Sequence, residues 1–188
     1  MNKTRLFFLV MLFTLAGCAT LTTAEKEQKR NALDEMAKET IAALVEQDVK
    51  IQEKLDDSLA YAVADIKLTK VPIVGAGGGK GVFVDNRSQQ RIYFTVRRLD
   101  LGGGWGVRAY KVLLVVESQD VFDRLKDGTW EFQAGAEASA GSVSAEGSSG
   151  DLLNTGFSMY VLSEAGASVT VTARVIRIKV NRELTENP

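Results

Sequence analysis

Residues 60–117 read AYAVADIKLTKVPIVGAGGGKGVFVDNRSQQRIYFTVRRLDLGGGWGVRAYKVLLVVE. Short β-prone runs alternate here with glycine clusters, the texture of strands joined by tight connections. Ala60–Leu68, Gly81–Asp85, Arg91–Leu99 and Val107–Glu117 predict strands, and Asp85-Asn86-Arg87-Ser88 predicts a hairpin turn. Trp130–Ser144, Thr155–Leu162 and Ala167–Val180 continue the pattern. One helix interrupts it at Ser118–Lys126, with Ser118 as N-cap and Gly128 near its C-terminal end. Ala134–Gly150 reads as a small-residue strand ending in a loop, with a low-complexity linker as the competing reading.

Upstream the period changes. From Glu25 to about Val45 the apolar residues Leu33, Met36, Ala37, Ile41, Leu44 and Val45 recur at spacings of three and four, which predicts an amphipathic helix. A second helix is expected over Val49–Leu59, with Ile51, Leu55 and Leu59 on one face. The helices are expected to pack on the strands, because residues 25–46 carry six acids against four bases and suit an anionic surface poorly. The expected fold is α+β and β-rich: an antiparallel barrel-like or strongly curved sheet of about six or seven strands, with N-terminal helices and one short inserted helix.

The first residues read as an address. Lys3 and Arg5 precede the uncharged run Leu6–Leu15, and a ten-residue helix is about 15 Å long, half a bilayer core. That suits the apolar core of a secretory signal and not a span. Leu15-Ala16-Gly17-Cys18 follows and resembles the bacterial lipobox, which implies cleavage before Cys18 and lipidation of its sulfur. Ala19 after the cysteine points, by resemblance to Gram-negative sorting, to the outer membrane facing the periplasm. The expected division is 1–17 signal peptide, 18–24 lipidated tether, 25–59 helical segment, 60–182 β-rich domain and 183–188 tail.

Composition narrows the chemistry. Among 188 residues there is no His and one Cys, with 23 Lys+Arg against 24 Asp+Glu. The chain lacks the commonest general base and metal ligand. One thiol allows neither an internal disulfide nor a multi-thiolate zinc site. A net charge of −1 argues against nucleic acid as partner. Gly75–Gly81 lacks the spacing of a phosphate-binding loop, since Gly81 and not Ser or Thr follows Lys80. The carboxylate pairs Asp56-Asp57 and Asp120/Asp123 read as solvated helix faces. We therefore expect no catalytic residues, no metal site and no cofactor.

Four segments carry a family likeness. Gly75-Ala-Gly-Gly-Gly-Lys-Gly81, Leu101-Gly-Gly-Gly-Trp-Gly-Val107, Gly128-Thr-Trp-Glu-Phe-Gln-Ala134 and Phe157–Gly166 stand in order over roughly 120 residues. Together they resemble the SYLF domain, a lipid-binding module. The resemblance implies a β-rich, lipid-interacting domain, without the actin-regulating role of eukaryotic members, whose SH3 or FYVE module is missing here. The chain departs from the family in Ala60–Asp65, and in Arg174, Arg177 and Lys179 where many members are apolar.

Charge is uneven along the chain. Lys67–Lys111 holds nine bases and two acids, whereas residues 112–168 hold two bases and nine acids. Lys80, Arg97, Arg98 and Arg108, with aromatic residues nearby, are the expected contacts for anionic phospholipid headgroups. Alternation opposes this: Tyr93, Thr95 and Arg97 share one strand face while Phe94, Val96 and Arg98 share the other. The expected function is non-catalytic binding of membrane phospholipid by a domain anchored through Cys18. The alternative is a scaffold for an envelope protein partner, with lipid serving only as anchor.

Overall fold

The computed structural model describes residues 21–127, 129–139, 156–165 and 168–186. The expected signal segment, Cys18, Gly128 and residues 140–150 of the Ala/Gly/Ser run lie outside them.

Helix α1 spans Thr23–Gln47, two residues earlier than its apolar stripe announces. Thr22 caps it reciprocally: its hydroxyl accepts from the Glu25 amide, and the Glu25 carboxylate accepts from the Thr22 amide at 2.8 Å. Asp48 is extended and ends the helix, and its carboxylate accepts from the Lys50 amide at 3.0 Å. Helix α2, Lys50–Asp57, follows.

Strands β1 (Ala60–Lys70), β2 (Val74–Asp85), β3 (Arg91–Gly104) and β4 (Gly106–Val116) come next. Helix α3 (Gln119–Lys126) is capped by Ser118, as its sequence predicts. Then come β5 (Thr129–Ser139), β6 (Phe157–Ala165), β7 (Ser168–Val180) and a short helix α4 (Arg182–Thr185) where a tail was expected. Asn181 accepts from the Leu184 amide and starts α4.

All seven strands form one antiparallel sheet in the order β5–β7–β3–β2–β1–β4–β6. The sheet is open, with β5 and β6 as its edges among the described residues. It is also strongly curved: β4 and β7, with three strands between them in the order, approach within 8 Å at Cα. The expectation of a strongly curved sheet of six or seven strands is met.

Each face has its own core. Ala62, Ala64, Ile66 and Leu68 of β1 point to the concave side and pack with Phe94, Val96, Leu114 and α3. Val63, Val82, Val84, Leu113 and Val115 point to the convex side, where α1 and α2 cover them. All six residues of the α1 stripe join this convex cluster, which is why the helix lies on the sheet. Leu59 departs from the expected α2 face and packs with the concave cluster, because the helix has already ended at Asp57.

Tyr93 couples the sheet to α1, donating its hydroxyl to the Asp34 carboxylate at 3.2 Å, while Arg91 approaches the same carboxylate at 3.4 Å. Burial, then the Asp34 charge and hydrogen bond, push the Tyr93 pKa up from 10.0 to about 12. The native state therefore holds this proton more tightly than the unfolded chain. The stability this group contributes is complete below about pH 10 and is lost as pH rises through about 12. The urea midpoint should drop over that window, and drop less in Tyr93→Phe; equal drops would mean that another group governs alkaline unfolding.

Candidate functional site

Register places the side chains of the sheet in rows. On the convex side, below the part covered by α1, one row reads Lys179, Thr95, Lys80, Asp65, Lys111 from β7 to β4. The next reads Arg177, Arg97, Gly78, Lys67, Ala109. Lys67, Lys80, Arg97, Arg177 and Lys179 are exposed. The register partner of Arg177 on β5 is Glu131, so the excess positive charge is clearest at Lys67, Lys80, Arg97 and Lys179.

Beyond these rows the convex face turns apolar. Leu99 and Val107 fall in the following row, and Leu101 pairs with Val74 in the one after. The β1–β2 connection adds Val71 and Ile73, and Trp105 alone joins β3 to β4. Eight large hydrophobic side chains stand exposed among the described residues, and all but Val49 belong to this end. Ile73 and Trp105 are each 73% exposed.

The expected headgroup set is thus divided. Lys80 and Arg97 point outward on the convex face, but Arg98 and Arg108 point into the concave face and are only 3% and 2% exposed. The expectation of four exposed contacts is corrected for these two: a buried guanidinium is not presented to a lipid surface. Arg98 makes a bidentate pair with Asp100, both bonds 2.8 Å, and donates to the Tyr110 hydroxyl. The Arg108 guanidinium lies over the Tyr110 ring at 5.1 Å. Lys70 is buried beside them.

Glycine makes room for part of this cluster: a Cβ at Gly75 would lie 3.2 Å from the Asp100 Cβ and from the Lys70 Cγ. Gly75, Gly77, Gly79 and Gly81 take successive concave positions of β2, while Ala76, Gly78 and Lys80 take the convex ones. The run is therefore paired strand and not a turn, seven residues longer than the strand expected from Gly81. A Cβ at Gly81 would lie 2.5 Å from the Phe94 ring and 2.3 Å from the Val63 carbonyl oxygen. The run serves close packing, and neither its position nor its contacts form a phosphate cradle.

Next to the polar cluster lies a cavity of about 70 Å³, lined by Ala64, Val96, Val112, Met159 and Ile178, with Arg98 and Tyr110 at one side. Ordinary ligand pockets hold about 300–1,000 Å³, so this volume is packing slack rather than a substrate site. The carboxylate pairs behave as surface groups: Gln52 donates to Asp56, Gln119 to Asp123, and Arg124 pairs with Asp120 at 3.0 Å. Among the described residues no cluster of three or more acidic or Cys side chains is placed to hold a metal ion, and no helix is long and apolar enough to cross a membrane.

Sequence reasoning missed Arg177 and Lys179 as members of the basic rows, and the whole apolar end. The alternation Arg-Ile-Lys-Val over 177–180 carried the first signal. Compared with known proteins, the chain matches no family model and no curated protein.

Proposed function

We propose that this is a non-catalytic envelope protein, anchored by acyl chains on Cys18 to the outer membrane facing the periplasm, whose β-rich domain binds anionic phospholipid headgroups. The observation that carries the reading is the pair of exposed basic rows around Lys80 and Arg97, bordering an exposed apolar end. The four glycine-rich segments that resemble the SYLF domain support it, as does the absence of His from the whole chain.

Acylation sets proximity, and at high effective concentration even weak headgroup contacts hold the domain down. The tether also constrains orientation. Leu21 bonds to Glu183 at 2.8 Å, and Thr185 of the same α4 bonds to the Tyr93 amide, so α1 begins near the Tyr93 level of β3. From Tyr93 to Leu101 the strand rises about 26 Å at 3.3 Å per residue. Residues 18–21 reach at most about 11 Å. The domain therefore lies with its strands inclined and its convex β3–β7 flank toward the lipid, with Lys179, Arg177 and Arg97 between the anchor and the apolar end.

Each base near an anionic leaflet is worth about 1 kcal/mol. Lys80→Gln with Arg97→Gln should weaken binding of the unacylated mature chain to anionic vesicles about 30-fold. Both side chains are exposed, so thermal stability should not change. Unaltered affinity in a chain that does bind would remove these rows from the interface.

A further inference from the structure

We infer that the apolar end of the sheet is a membrane-inserting wedge, a role resting on the lipid reading above but separable from it. Headgroup attraction needs only the basic rows. It gives no reason for Val71, Ile73, Leu101, Trp105 and Val107 to stand 52–73% exposed at one end. Scattered apolar residues on a surface need no explanation, but a group rimmed by polar ones marks a docking site.

The geometry fits an interface in depth. Arg97 and Leu101 lie four residues apart on the same face of β3, about 13 Å along the strand. An interfacial element buries its apolar face about 5–10 Å into the headgroup–acyl boundary. With Ile73, Leu101 and Trp105 at that depth, Arg97 and Lys67 sit at the phosphates. Tryptophan favours this zone, having an apolar ring and one N–H to satisfy.

Charge selects lipid over the other occupants. A second copy meeting this one end to end would bring two rims carrying Lys67 and Arg97 together, like charge against like. An anionic bilayer offers the rim opposite charge and the wedge hydrocarbon, over a surface of any extent.

The test uses the mature chain from residue 18 with Cys18→Ser, which leaves no thiol. Ile73→Cys places one label on the wedge, and Val49→Cys, 72% exposed and far from that end, gives the control. The probe is a vesicle of phosphatidylglycerol and phosphatidylethanolamine carrying brominated acyl chains. We expect quenching at residue 73 and not at residue 49. Ile73→Ser with Trp105→Ser should weaken binding by about tenfold or more, leaving residual binding that high salt abolishes. Binding without quenching at 73, unaffected by the serine variants, overturns the wedge and leaves headgroup recognition standing. No vesicle binding at any salt overturns both. Self-association, or binding to an acidic protein, that the serine variants abolish while residue 73 stays unquenched by lipid, also overturns it.

Discussion

Gly79→Ala should destabilise the domain by about 3–5 kcal/mol, a large part of the usual 5–15 kcal/mol of a folded protein. A Cβ at this position would lie 2.0 Å from the Asp65 carbonyl oxygen and 3.1 Å from the Ile66 Cα. Both are backbone atoms of β1, which is paired along its length to β2 on one side and β4 on the other. The strand cannot move aside without breaking one of those ladders. Gly78 points to the opposite face, where a Cβ would meet only the Val96 carbonyl oxygen at 3.1 Å. Gly78→Ala should therefore cost no more than about 1 kcal/mol. Urea midpoints of the two variants test the contrast, and equal losses would mean that the run matters for backbone freedom and not for close approach.

Asp100→Ala should cost about 3–5 kcal/mol. Its side chain is fully buried and forms the bidentate pair with Arg98, itself 1% exposed at the side chain. Removing the carboxylate takes both charge-assisted bonds of Asp100 away from a guanidinium that stays buried. Truncating one partner of such a pair costs more than replacing both by apolar groups. Arg98→Met with Asp100→Leu should therefore recover part of the loss. The comparison is read by thermal and urea unfolding. A loss below about 1 kcal/mol for Asp100→Ala would mean that water already reaches the pair.

How much of this was legible depends on what a one-dimensional pattern encodes. The α1 stripe was readable because six apolar residues at helical spacing need one surface to cover them, and the convex core supplies it. The Ser118 cap was readable because its chemistry is local. Alternation correctly separates Arg97 from Arg98. It cannot tell which face is enclosed, because curvature makes the concave side an interior and is set by long-range pairing. Sequence pattern alone therefore makes Arg98 and Arg108 surface bases, whereas the curved sheet encloses both. The early start of β2 was missed because glycine disfavours strands locally, and only the ladders to β1 and β3 hold it extended. The apolar end was missed because Leu99 and Val107 look like ordinary strand positions, and Leu101 lies past the strand expected to end at Leu99. Only register reveals that no element among the described residues covers them.

The most direct test of the central claim is flotation of the mature chain with Cys18→Ser, using neutral or anionic vesicles at low and at high salt. The account predicts flotation with anionic vesicles at low salt, sharply reduced at high salt and reduced again by Lys80→Gln with Arg97→Gln. No flotation with anionic vesicles at low salt would contradict it, and would leave the acyl chains as the only membrane contact and an envelope protein as the partner to seek.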